Sequence, residues 1–134
     1  MAEHQRLNPA GLFDSKSWGF HQVQISTGTR IVHFAGQGAL DTEAEMIGVG
    51  DFAAQMAACL ANIDIACKAA LVGRTDIASL RLYVVDHQPE LVPIIIEQLT
   101  AFFGQDSTPP ATLVGVARLG MPDMLVEIEA VAIG

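Results

Sequence analysis

The strongest constraint on the fold of this chain is a helical pattern over residues 51–71. Apolar side chains recur there every three or four residues, which is the period of one face of an α-helix. They are Phe52, Met56, Leu60, Ile63, Cys67 and Leu71. Asp51 is a suitable N-cap, and Gly73 lies just past the last turn. The pattern therefore predicts an amphipathic helix that packs one side against a sheet.

Five segments rich in β-branched and aromatic residues predict strands on either side of this helix. They span residues 20–26, 30–35, 77–85, 112–119 and 124–133. Thr27 and Gly28 form a plausible hairpin turn between the first two strands. Residues 41–50 indicate a loop or a short hairpin, and residues 1–19 are typical of an irregular lead-in.

A second helix is predicted from Pro89 to about Phe103, because proline can begin a helix and Gly104 can end it. Pro93 is tolerated only if it lies in the first turn. The resulting order is ββ-α-β-α-ββ, which belongs to the α+β class. Its central strand–helix–strand unit requires a parallel pair, and its two ends supply hairpins. We therefore expect a mixed sheet with both helices on one face.

The size of the chain bears on its assembly. A length of 134 residues fits a single domain over residues 1–134. Apolar residues make up 51% of the sequence. The sheet face without helices would stay exposed and apolar in a single chain, and self-association is the simplest way to cover it.

Charge disfavours two classes of partner. The formal net charge is −8, and the seven basic residues are scattered without forming a run. Affinity for nucleic acid comes largely from clustered lysine and arginine, and an anionic membrane surface also attracts basic segments. We therefore expect no nucleic-acid partner and no membrane partner.

The termini and the cysteines predict a cytoplasmic protein. The amino-terminal segment lacks the apolar stretch of a secretory signal, and no apolar run approaches the length of a membrane span. Cys59 and Cys67 are about two helical turns apart, too far for a disulfide within one helix. They are typical of buried thiols in a reducing compartment.

Motifs for cofactors are absent from the sequence. The four histidines show no metal-ligand spacing, and with two separated cysteines a zinc site is disfavoured. No nucleophile elbow is present, and the short glycine pairs do not make a phosphate-binding loop. We expect no cofactor.

The last predicted strand carries the least ordinary feature. Glu127 and Glu129 are two residues apart and share one face of an otherwise apolar strand. They are either solvated surface carboxylates or part of a cleft, where partial desolvation would suit one of them to general acid–base chemistry. His21, on the first predicted strand, is the histidine of most interest.

Three motifs together resemble the RidA family, which is also called YjgF or endoribonuclease L-PSP. Residues 34–37 are similar to its strand-ending SGQ motif, and residues 126–130 are similar to its closing VEIEA motif. Its first long helix is matched by Gly50, Asp51, Gln55 and Asn62. The resemblance runs in order from about Gly19 to the carboxyl terminus.

This resemblance implies a chorismate-mutase-like fold that assembles as a homotrimer with a cleft at each subunit interface. In active family members the cleft binds a small carboxylic acid derived from an amino acid, and an arginine holds its carboxylate. The resemblance assigns to Glu127 the positioning of a water that attacks the imine carbon. It places His21, Gly36 and Gln37 along the cleft.

The chain departs from the family pattern at the arginine. Aligned on the following Val-Gly-Val, Ala111 occupies that position, and Thr112 and Leu113 continue the substrate-binding segment. Arg118 cannot substitute, because it is seven residues further on and faces the opposite side of the pleat. The sequence leaves two functions open: an enamine or imine hydrolase of altered specificity, and a non-catalytic trimer that binds a small metabolite.

Overall fold

The computed structural model describes residues 1–134 and contains two sheets and two long helices. In chain order the strands and helices are β1 Glu3–Leu7, β2 Val23–Thr27, β3 Ile31–His33, α1 Phe52–Ala69, β4 Ile77–Val85, α2 Val92–Phe103, β5 Ala111–Val116 and β6 Val126–Ile133. The four-stranded sheet has the order β3-β6-β4-β5. β5 runs parallel to β4, whereas β6 is antiparallel to both of its neighbours. This mixed sheet confirms the predicted α+β fold.

Local sequence signals account for both helices. The Asp51 carboxylate caps α1 by accepting a hydrogen bond from the Ala54 N–H at 3.0 Å. The helix ends slightly earlier than predicted, because the chain turns at Leu71, whose φ is 57°. Pro89 begins a single 3₁₀ turn that leads into α2, and Pro93 lies in the first turn of that helix, as its tolerance required.

Two sequence predictions about the strands near the amino terminus are wrong. The segment Glu3–Leu7 is a strand rather than part of an irregular lead-in, and it pairs antiparallel with β2. Thr27 and Gly28 do not form a hairpin turn, because β2 and β3 belong to different sheets. The chain just after Gly28 is bonded to the last residue instead. The Thr29 and Arg30 N–H groups donate to the Gly134 carbonyl at 2.8 and 2.9 Å.

The carboxyl-terminal hairpin is also absent. β5 and β6 are consecutive in sequence, but β4 lies between them and pairs with both. β4 is the longest strand, and it pairs with β5 from Leu80 to Val85 and with β6 from Ile77 to Val84. β5 is consequently an edge strand of the sheet.

The helices cover one face of the four-stranded sheet. The core contains Met56 and Ile63 from α1 and Leu99 from α2, packed with Leu82 and Ile128 from the sheet. Each of these side chains is at most 2% exposed. Alternation along the strands therefore turns the remaining side chains to the other side.

We call that other side the open face. It carries Ser79, Arg81, Tyr83, Thr112, Val114, Glu127, Glu129 and Val131. The expectation of an apolar face is wrong in its centre, where charged and hydroxyl-bearing side chains lie between aliphatic ones. No helix is long and apolar enough to cross a membrane.

Candidate functional site

Glu127 lies on the open face of β6, directly opposite Tyr83 of β4. The residue is partly buried, and its side-chain carboxylate makes no hydrogen bond or ion pair within the chain. Its carboxylate passes so close to Gly36 that a Cβ at that position would overlap it. Glycine is therefore needed at residue 36 for this carboxylate conformation. The arrangement leaves the carboxylate oxygens available to accept hydrogen bonds from water or a ligand.

The backbone beside Glu127 is fixed by an exchange of hydrogen bonds. The Gln37 N–H donates to the Ile128 carbonyl at 2.8 Å, and the Ile128 N–H donates to the Gln37 carbonyl at 3.0 Å. Asn62 of α1 adds donors to the carbonyls of Gly38 and Leu40 at 2.9 and 3.0 Å. The structure thus brings together three of the predicted site residues: Gly36, Gln37 and Glu127.

Glu129 shares the open face with Glu127, as the spacing predicted, but its surroundings differ. The Tyr83 hydroxyl donates to its Oε1 at 3.4 Å, and the Arg81 guanidinium is 3.8 Å from the same oxygen. A carboxylate that already accepts a hydrogen bond within the chain has fewer lone pairs available for a water or a ligand than an unpartnered one. Of the two, Glu127 is the better candidate for proton transfer.

The thiol near Glu127 is not a nucleophile. Cys59 of α1 is fully buried, and its Sγ donates to the Val126 carbonyl at 3.6 Å. Burial raises the pKa of the Cys59 thiol to about 12, and the Glu127 carboxylate contributes to that increase. Since the thiolate is the reactive form, Cys59 acts as a small core residue.

A second group of predicted site residues lies around a cavity of about 330 Å³, which we call the polar cavity. Its walls include Phe20, His21, Ser79, Arg81, Ala111 and Thr112. His21 is buried, and its Nδ1 lies 2.6 Å from the Thr108 carbonyl oxygen. A carbonyl can only accept, so Nδ1 carries the hydrogen. Nε2 has no partner within the chain and is not sealed from solvent.

Ala111 also borders a second cavity, of about 250 Å³, which we call the apolar cavity. All nine of its lining residues are apolar, and they include Trp18, Phe20, Ile96, Leu99, Ala111 and Leu113. No cation lies at the position where the family pattern has its arginine. The side chains of Ala111 and Leu113 therefore face an apolar surface beneath α2.

The two groups of residues do not meet within one chain. Glu127 is on the open face of β6, whereas Ala111 and Leu113 are level with Leu80 and Leu82 on the helix-covered side of the sheet. β4 separates the two strands that carry them. Arg118 lies in the loop after β5 and borders neither cavity.

Two residues that line these cavities, Arg81 and Trp18, were not among the predicted site residues. In the sequence, Arg81 looks like an ordinary solvent-exposed residue of an alternating strand. Its pairing with Thr112 brings it to the polar cavity. Trp18 lies in the segment that was expected to be irregular, yet it forms part of the apolar cavity. The nearby Gly19, with φ of 86°, lets this segment approach the Ile96 backbone.

The fold and the site define a class of small α+β protein whose last strand carries a carboxylate without a partner in the chain. Residues 19–134 match the sequence model of the family described as endoribonuclease L-PSP. The chain belongs to this family, which is also called RidA or YjgF. No curated protein matches it.

Solved structures from the family are similar in fold. YyfB, a Rid-family protein from Yersinia pestis, is 32% identical and superposes with a TM-score of 0.94 over 98% of each chain. YjgF from E. coli is 27% identical, with a TM-score of 0.66 over 78% of this chain and 81% of that one. E. coli TdcF, solved with bound serine, is 27% identical, with a TM-score of 0.67 over 78% and 80% of the two chains.

Proposed function

We propose that this chain forms a homotrimer that binds small metabolites in clefts between subunits and hydrolyses their imine or enamine forms. The observation that carries the proposal is the division of the site. Glu127, Gly36 and Gln37 form one part, His21, Ala111 and Thr112 form another, and β4 lies between them. A second copy that docks at the edge strand β5 would complete a cleft from the two parts.

The chemistry assigned to this cleft is the addition of water to a carbon–nitrogen double bond. Glu127 accepts a proton from water while the water oxygen bonds to the carbon of the protonated imine and the π electrons move to nitrogen. Glu127 returns this proton to the nitrogen of the resulting carbinolamine, and the carbon–nitrogen bond breaks to release ammonia. The hydroxyl proton passes to Glu127 as the carbonyl forms, which leaves a 2-oxo acid when the substrate is a 2-imino acid. The unpartnered carboxylate of Glu127 suits the role of general base.

A similar protein supports an amino-acid-sized ligand. TdcF was solved with serine bound, and this chain is 27% identical to it. Serine carries a carboxylate and an amino group on one carbon, the same arrangement as a 2-imino acid after hydrogen addition. We extend this ligand size to the present chain.

A non-catalytic binding protein is the second candidate. Ala111 stands in the position of the family arginine and faces an apolar cavity. A site without that cation holds short imino acids weakly, because a bidentate arginine–carboxylate pair adds about 1.5–3 kcal/mol. RNA cleavage, which the family description mentions, is disfavoured by the net charge of −8.

Imine decay distinguishes the two candidates. 2-Iminopropionate is generated in situ, and its disappearance is followed with and without the purified protein. We expect wild type to accelerate the decay weakly, because the carboxylate base is present and the arginine is absent. A rate equal to that of buffer, combined with saturable binding of a metabolite in a thermal-shift screen, would favour the binding protein.

Assembly has its own test. Light scattering at micromolar concentration should give a mass close to three times 14.2 kDa. We expect the chains to associate because association covers the open face and the β5 edge, which a single chain leaves exposed. A monomer at this concentration would contradict both the trimer and the interfacial cleft.

A further inference from the structure

Three polar side chains are joined by hydrogen bonds on the side of the two-stranded sheet that faces the start of β4. His4 of β1 lies directly opposite Ser26 of β2, and its Nδ1 is 2.9 Å from the Ser26 Oγ. Its Nε2 is 3.0 Å from Oδ1 of Asp76, the residue before β4. A hydroxyl, an imidazole and a carboxylate therefore follow one another in the order that activates a serine as a nucleophile.

The Asp76 carboxylate determines where the hydrogen lies on His4. Burial opposes the ionisation of Asp76, but the hydrogen bonds from the Gly73 N–H and from His4 outweigh it and lower the pKa of this carboxyl. A carboxylate can only accept, so Nε2 of a neutral His4 carries the hydrogen and Nδ1 is an acceptor. The Ser26 hydroxyl therefore donates to Nδ1, which is the arrangement in which His4 can take the proton from the serine.

Gln24 supplies a donor beside the Ser26 oxygen. Its Nε2 donates to the Ile77 carbonyl at 3.2 Å, which fixes the orientation of the amide because a carbonyl can only accept. The same Nε2 lies 3.1 Å from the Ser26 Oγ. An N–H group next to the nucleophile can stabilise the negative oxygen that forms when a carbonyl carbon is attacked.

Two buried polar atoms close to this group have no hydrogen-bond partner within the chain. They are Oε1 of Gln24 and Nε of Arg6, and the two residues lie opposite each other in the β1–β2 ladder. Buried donors and acceptors are almost always paired with protein, water or a ligand. One donor and one acceptor are thus available to the polar part of a bound molecule.

The nucleophile is accessible, whereas the base is shielded. Ser26 is partly exposed and lies one residue before the end of β2, but the His4 side chain is only 7% exposed. Neither the polar cavity nor the apolar cavity includes any of these residues. Because Ser26 does not border either cavity, it suits a short acyl group better than a long one.

We propose that Ser26, His4 and Asp76 form a second reactive site, which takes short acyl groups from activated carboxylic esters. The Ser26 Oγ bonds to the carbonyl carbon while His4 Nδ1 takes its proton, and the Gln24 amide bonds the oxyanion. The bond from this carbon to the alcohol oxygen then breaks, and the leaving alcohol takes the proton from His4. Water repeats both steps, which releases the acid and restores the serine. Asp76 is a positioning residue that holds His4 in the reactive tautomer.

A fluorophosphonate probe tests the nucleophile directly, because an activated serine bonds to its phosphorus and displaces fluoride. The wild-type protein is incubated with the probe, and the modified residue is identified by peptide mass spectrometry. We expect one adduct per chain, on Ser26, together with hydrolysis of p-nitrophenyl acetate that Ser26→Ala abolishes. His4→Gln should slow both reactions by at least about a hundredfold, since no base would take the serine proton.

Ser17→Ala and His33→Gln are the matched controls. They remove an exposed hydroxyl and an exposed imidazole that lie outside this group of residues. Both variants should take up the probe and hydrolyse the ester like wild type, which would show that surface hydroxyls and imidazoles do not account for the reaction.

Asp76→Asn tests the positioning role. The asparagine amide can donate to Nε2 of His4, which moves the ring hydrogen to Nδ1 and removes the acceptor that Ser26 needs. Probe uptake should fall by about a hundredfold or more. Nitrogen-15 NMR of the His4 ring should show the hydrogen on Nε2 in wild type and on Nδ1 in the variant. Unchanged uptake, or a loss of uptake without a change of tautomer, would contradict this role.

Two outcomes would overturn the proposal as a whole. The first is a wild-type protein that takes up no probe or takes it up at a residue other than Ser26. The second is ester hydrolysis that persists in Ser26→Ala, because another nucleophile would then be responsible. In either case the three side chains serve only to join the two-stranded sheet to β4, and the variants would lower the melting temperature without changing a reaction. Imine hydrolysis dependent on Glu127 would be unaffected.

Discussion

Glu127→Gln should lower the rate of imine hydrolysis by about a hundredfold or more, the usual contribution of a positioned general base. Glutamine preserves the size of the side chain and can still lie over Gly36, but its amide cannot take a proton from water. The measurement is kcat for 2-imino acids generated in situ. The KM for the same acids should change much less, because the carboxylate acts on the water.

Glu129→Gln is the matched control for this variant. It removes the same charge from the same face of the same strand, two residues away, at a carboxylate already bonded to Tyr83. Turnover should stay close to wild type. Equal losses in both variants would show that the negative charge of the open face matters rather than a base at Glu127. Unchanged turnover in both would remove Glu127 from the mechanism.

The helices and the longest strand could be predicted from the sequence because their signals are local. α1 has a carboxylate cap and an apolar stripe with a regular period, and α2 is bounded by Pro89 and Gly104. β4 was predicted with its observed bounds, since its alternation of buried and exposed residues is nearly unbroken. In each case a few adjacent residues determine the outcome.

Strand pairing could not be predicted in the same way, since it depends on residues that are far apart in sequence. β1 is a polar segment, Glu-His-Gln-Arg-Leu, without a local strand pattern. It forms a strand because it pairs with β2. The apparent turn at Thr27 and Gly28 satisfied local turn chemistry, but the nearby N–H groups of Thr29 and Arg30 bind Gly134 at the other end of the chain. Local turn preference was overridden by tertiary contacts.

The candidate site was predictable only in part, for the same reason. Glu127 stood out as a carboxylate in an apolar strand, and its relation to Gly36 followed from the family resemblance. Arg81 carried no comparable signal, because arginine at an alternating strand position is ordinary. Its position beside Thr112 comes from the parallel register of β4 and β5, which no local pattern contains.

Ala111→Arg should raise the rate of hydrolysis of short 2-imino acids. The new side chain would extend from β5 into the space that Ala111 borders and supply a guanidinium at the position of the family arginine. Short 2-imino acids would gain a charge-assisted pair, which corresponds to about one to two decades in rate at low substrate concentration.

Ala111→Leu separates the charge from the bulk. Leucine occupies part of the apolar cavity without adding a cation, so this variant should gain no activity toward 2-iminopropionate. Adding Glu127→Gln to Ala111→Arg should abolish the gain, because no carboxylate would then accept a proton from the water that attacks the bound substrate. If Ala111→Arg leaves the hydrolysis of 2-imino acids as in wild type, residue 111 does not border the working cleft. The specificity of the chain would then have to arise from a surface that neither cavity includes.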